Sequence, residues 1–117
     1  MSETVFTCEQ RGSVGVLHVT LREIVHPDEL DHMSQEFRQC VARTRLAAYV
    51  LDLSHLEYLT SAAIGMLINM HAHLAADGRR FAVVGQKQMV AETLGHPHLD
   101  KVFPVRTDVA AAVLAVS

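Results

Sequence analysis

The chain has 117 residues, half of them apolar and a fifth charged, with a formal net charge of −3. That length suits one domain, spanning residues 1–117, which hides roughly two-thirds of its unfolded surface on folding. Few aromatics, no tryptophan and no basic run exclude a stacking platform for single strands and the electrostatic footprint of a nucleic-acid binder.

Cys8 and Cys40 are too few and too far apart in sequence for a disulfide framework or a zinc knuckle. The N-terminus lacks the basic-then-apolar pattern of a signal peptide, and no apolar run approaches a membrane span. The expected setting is a reduced cytoplasm, with no membrane.

"TVFTCEQ" and "VGVLHVTL" read as two strands joined by a turn at Arg11-Gly12-Ser13. Pro27 and Asp28 punctuate a helix start, and Leu30, Met33, Phe37, Cys40 and Val41 follow as one buried stripe. "AAYVLDLS" is a nearly continuous apolar run, as in a strand covered on both faces. The connection from Ser54 to Thr60 leads to a second helix. Ile64, Leu67, Ile68, His71, Leu74 and Ala75 recur there at helical intervals, up to a stop at Gly78. "RFAVVG" is another buried strand, and "QKQMVAETL" a short helix stopped by Gly95. "HPHLDKVFPV" reads as a loop with a small strand around Val102-Phe103. "TDVAAAVLAV" is a helix capped by Thr107 or Asp108. The fold class is therefore α/β, a mixed β-sheet with four helices in the order β-β-α-β-α-β-α-β-α.

Eight histidines raise the question of a metal. His71 and His73, two apart on a helix, point roughly 200° apart, and His96-Pro97-His98 has no third ligand at diagnostic spacing. Scattered structural histidines are the preferred reading, with no metal and no cofactor. Hydrolase elbows, phosphate loops and dinucleotide fingerprints are absent, so no catalytic residue is assigned. Asp52, near the carboxyl end of the central strand, has no acid-base partner nearby in sequence. It is read with Ser54 as an organiser of the Ser54–Thr60 loop, accepting backbone N–H bonds.

Ser61 stands where the loop meets the second helix. A serine N-cap there contributes roughly 1 kcal/mol. With Ile64 as the middle of the buried face, Ala62, Gly65, Met66, Asn69 and His73 fall on the solvent side. Gly65 costs about 1 kcal/mol relative to alanine. Small residues beside Ser61, with Met66 as an adaptable apolar contact, suit a docking face.

From Tyr49 to Val105 these features together resemble the STAS domain, the module shared by sulfate transporters and anti-sigma factor antagonists. Family members carry an apolar strand ending in Asp-Leu-Ser, an aromatic four residues on, and a short polar motif, commonly Asp-Ser-Ser-Gly, opening a helix. Asp52-Leu53-Ser54, Tyr58 and Thr60-Ser61-Ala62-Ala63 occupy those places. Gly85 after a strand, the short helix to Leu94-Gly95 and Phe103 also fit. Thr60 departs from the family's aspartate, and "LREIVHPDEL" lacks the common Gly-x-Leu-Asp pattern.

The resemblance implies a non-enzymatic, protein-binding switch. Its unphosphorylated form binds an anti-sigma factor, often a serine-protein kinase, and a phosphatase reverses the phosphorylation. By position the phosphoacceptor is Ser61, with Thr60 as the second candidate. The expected partner-binding residues are Ser61, Ala62, Gly65, Met66 and Asn69. Self-association is left open, and the alternative is a constitutive STAS scaffold in a signalling or lipid-transport complex.

Overall fold

The computed structural model describes residues 6–24, 26–95 and 98–117. Its chain opens with a hairpin, β1 (Phe6–Arg11) pairing antiparallel with β2 (Val14–Val19). Gly12 at the turn has φ +63°, a conformation in which a side chain is strained. The helix α1 (Pro27–Thr44) then carries the chain to β3 (Ala48–Asp52), parallel to β2. The helix α2 (Ser61–Ala75), β4 (Arg80–Val84), α3 (Gln88–Gly95), β5 (Val105–Arg106) and α4 (Val109–Val116) complete it. The sheet order is β1-β2-β3-β4-β5, parallel from β2 onward. The expected class and element order are those observed.

Alternation along the strands divides the core in two. Leu17, Val19, Tyr49, Leu51, Phe81 and Val83 face the layer built by Phe37, Cys40 and Val41 of α1, Leu67 and Leu74 of α2, and Val90 and Leu94 of α3. Val14, Val16, Ala48, Val50, Ala82 and Val84 face Ala112 and Val116 of the short α4. Every residue of β3 is buried, which explains its continuous apolar run.

Helix boundaries follow local chemistry. Pro27 takes the first position of α1, and the His26 N–H donates to the Glu29 carboxylate at 3.1 Å. Asp108 is the cap of α4, accepting the Ala111 N–H at 2.8 Å. The small strand expected at Val102-Phe103 lies instead at Val105–Arg106, after a 3-10 turn at Leu99–Lys101. Phe103 is an anchor rather than a strand residue: its ring packs edge-on against Phe81 with centroids 5.3 Å apart. His98 enters the 3-10 turn in the left-handed region, while His96 and Pro97 lie outside the described residues.

Candidate functional site

The parallel strands end at a loop cluster from which α2 starts. Asp52, the last residue of β3 and only 7% exposed, is the one buried acidic side chain among the described residues. Its Oδ1 accepts the Ser54 N–H at 3.0 Å and the Ser54 hydroxyl, closing the first turn of the loop. Its Oδ2 stands 2.6 Å from His18 Nδ1, and Glu9 Oε1 stands 2.6 Å from His18 Nε2. An imidazole held between two carboxylates satisfies both only as the doubly protonated imidazolium. Partial burial opposes that charge, but the hydrogen bonds that His18 donates to Glu9 and Asp52 outweigh it and raise the His18 pKa. Glu9, hydrogen-bonded to Arg11 and His18, is held below its ordinary value.

A clasp ties the loop after β2 to the loop before α2. The Glu57 N–H donates to the Arg22 carbonyl at 2.8 Å, and Arg22 Nη2 donates to the Glu57 carboxylate at 2.8 Å. Lys87 Nζ lies 3.5 Å from the same carboxylate. The Arg22 hydrogen bond and then the Lys87 charge lower the Glu57 pKa. The Tyr58 hydroxyl donates to Glu23 at 3.1 Å, which raises its own pKa. These partners, 35 residues apart, carry no sequence signal.

The start of α2 differs from the expectation in one position. Thr60, not Ser61, is the N-cap: its backbone is extended and its Oγ1 accepts the Ala63 N–H at 3.1 Å. Ser61 is the first helical residue, exposed, and among the described residues its hydroxyl has no hydrogen-bond partner. The cap is therefore built by one hydroxyl and the neighbouring one is left over.

The helix face beyond Ser61 also needs correction. Ala63, Met66, Leu67, Met70 and Leu74 are its buried residues, so the buried face centres about one position earlier in the turn than Ile64. Met66, expected on the solvent side, is 6% exposed and packs in the core. Ile68, expected inside, is 40% exposed. Ala62 and Asn69 are exposed and Gly65 half-buried, as a solvent face requires. The open face of α2 thus runs Ser61, Ala62, Gly65, Ile68, Asn69, with Ile68 supplying its apolar contact.

Among the described residues, no three histidine, cysteine or acidic side chains are grouped to hold a metal ion. No described helix is long and apolar enough to cross a membrane.

Comparison with known proteins agrees with this architecture. The family model described as "Mlab, STAS domain" matches residues 8–107. A solved anti-sigma factor antagonist from Mycobacterium paratuberculosis is similar at 27% identity and a TM-score of 0.81, over 95% of this chain and 92% of that one. An anti-sigma-factor antagonist (STAS) domain protein from Planctomyces limnophilus is similar in fold, at 20% identity and a TM-score of 0.76, over 95% and 97% of the two chains. The Bacillus cell fate determinant SpoIIAA in its phosphorylated form shares the fold at 12% identity, with a TM-score of 0.68, over 96% and 99%. With five strands and four helices among the described residues and a family match over residues 8–107, this chain belongs to the STAS domain family.

Proposed function

We propose that this protein is a binding switch of the anti-sigma factor antagonist kind, turned off by phosphorylation of Ser61. The observation that carries the reading is the division of labour at the start of α2. Thr60 caps the helix, which leaves the adjacent Ser61 hydroxyl exposed and unengaged on an open face of small residues. SpoIIAA, which shares the fold, has been solved in both unphosphorylated and phosphorylated forms.

A phosphate at Ser61 brings about −1.5 to −2 charges. At the first turn of a helix that charge meets the positive end of the dipole and free N–H groups, so the fold tolerates it. A partner seated over Ala62, Gly65, Ile68 and Asn69 would have to desolvate it, and binding fails. Thr60 is the poorer acceptor, because its oxygen already serves the cap. The partner is an anti-sigma factor or serine-protein kinase in the cytoplasm, with a phosphatase resetting the switch. The domain itself performs no catalysis.

A second reading, a constitutive scaffold whose Ser61 hydroxyl is contacted but never phosphorylated, draws on the family description, which names Mlab. One experiment separates the two. Wild type and Ser61→Asp are used side by side as bait in lysate of the native host, and Ser61 is mapped for phosphate by mass spectrometry. The switch predicts a partner captured by wild type and lost by Ser61→Asp, with phosphate on Ser61 in some growth states. Equal capture by both proteins overturns it, and persistent absence of phosphate favours the scaffold.

A further inference from the structure

Cys8 and Cys40, 32 residues apart in sequence, face each other across the junction of β1 and α1 with their sulfurs 3.8 Å apart. A disulfide requires about 2.05 Å, so the sulfurs must approach by about 1.8 Å. A change of side-chain rotamer with a small shift of β1 would close that gap, and β1 is an edge strand that pairs only with β2 among the described strands. The two thiols are unequal: Cys8 is exposed, while Cys40 is buried on the inner face of α1. A cleft of about 200 Å³ opens beside them, lined by both cysteines with Gly15, Leu17, Thr44 and Tyr49, giving a small molecule access to the pair.

We propose that Cys8 and Cys40 form a reversible intramolecular disulfide stapling the edge strand to α1, with a low-molecular-weight disulfide of the glutathione class as oxidant. The Cys8 thiolate attacks one sulfur of the oxidant, forming a mixed disulfide and releasing one thiolate. Cys40 loses its proton to water, and its sulfur attacks Cys8 Sγ and expels the second thiolate. Two protein thiols are oxidised by two electrons, and one small disulfide is reduced to two thiols. Partial desolvation of the thiol on its inner side, reinforced by Cys40 next to it, pushes Cys8 up to about 11, with Arg43 pulling the other way. Closure is therefore slow near neutrality and accelerates with pH, as the thiolate is the nucleophile. An intracellular pair of this kind closes under oxidative load rather than permanently.

The test uses the full chain, reduced and then incubated with oxidised glutathione at about pH 8.5, where the thiolate fraction is larger. The expected product is monomeric, about 2 Da lighter than the reduced protein, with a peptide map joining Cys8 to Cys40 and reversal by dithiothreitol. Its melting midpoint rises by about 10 °C, since the crosslink restricts the unfolded chain over that loop. Cys40→Ala stops at a glutathione adduct on Cys8. Cys8→Ser, a substitution at an exposed position, keeps Cys40 reduced. A stable adduct on Cys8 of the wild type, a Cys8–Cys8 dimer or two unreacted thiols overturns the proposal. An adduct on Cys40 in Cys8→Ser overturns the assignment of Cys8 as the entry thiol.

Discussion

The two ends of the sheet are built from similar polar chemistry put to opposite uses. At the end where β3 begins, the Tyr49 hydroxyl accepts from the Leu46 N–H at 2.9 Å and from Arg79 Nη2 at 2.8 Å, and shares a hydrogen bond with Thr44 Oγ1. Arg79 also donates to the carbonyls of Leu46 and Val41, each at 2.8 Å, and its guanidinium lies over the Tyr49 ring. Val41 O is one of the carbonyls that the end of α1 leaves only partly satisfied. Gly15 belongs to the same arrangement, since a Cβ there would stand 2.9 Å from the Tyr49 ring. At the other end, where α2 begins, Asp52 and Thr60 satisfy the local backbone and Ser61 is left facing solvent. The first end commits its polar groups to the fold, whereas the second leaves the Ser61 hydroxyl exposed, where the proposed switch needs it.

That contrast is broken most severely by Arg79→Ala. The substitution strips partners from two carbonyls and a buried tyrosine hydroxyl, and hydrogen bonds to a charged group contribute about 1.5–3 kcal/mol each. A loss of about 3 kcal/mol is expected in urea unfolding, with partner capture by the surviving folded protein unchanged. Thr60→Ala is next: loss of the cap costs about 1 kcal/mol, while Thr60→Ser restores it. The same measurement checks both variants.

A smaller effect lies in the pH dependence of His18. Its folded pKa is raised, so the folded state binds the proton more tightly than the unfolded state. Its contribution is complete below the unfolded value of about 6.5 and is lost as pH rises through the higher folded value. Unfolding curves of wild type and His18→Gln should therefore converge between mildly acidic and mildly alkaline pH. NMR titration of His18 should give a midpoint above the ordinary histidine value, lowered by Asp52→Asn. A midpoint at or below that value would remove the two-carboxylate cage from the account.

The smallest expected change in stability is at Ser61. Ser61→Asp adds a negative charge at the positive end of a helix dipole, an effect of a few tenths to about 1 kcal/mol in the stabilising direction. Thermal melting should move by no more than a few degrees even though partner capture is lost. A large drop in melting temperature would place Ser61 with the structural end of the molecule instead.

Much of this molecule was legible in the order of its residues. Periodicity placed β3 on its apolar run, and the four helices followed from their stripes and punctuation at Pro27, Gly78 and Gly95. These are local signals, carried by propensity and burial pattern within a few turns of chain. Ser61 at the loop-helix junction was legible too, through the resemblance of its surroundings to the STAS pattern.

What failed was finer than a turn of helix. A shift of one position in the buried face of α2 sent Met66 inward and Ile68 outward, because both are apolar and only packing against β4 and α1 chooses between them. Thr60 and Ser61 are both good caps, and only the backbone angles decide which one is used. The strand near the C-terminus shifted because Phe103 was claimed by the core.

By itself, then, the sequence determined the class of fold, the run of elements and the neighbourhood of the candidate switch, since each rests on contacts between near neighbours in the chain. Only the tertiary structure decided which hydroxyl is free, that His18 lies between Glu9 and Asp52, and that two distant cysteines stand sulfur to sulfur. Those juxtapositions depend on strand pairing and helix packing, which bring together residues that no local pattern relates.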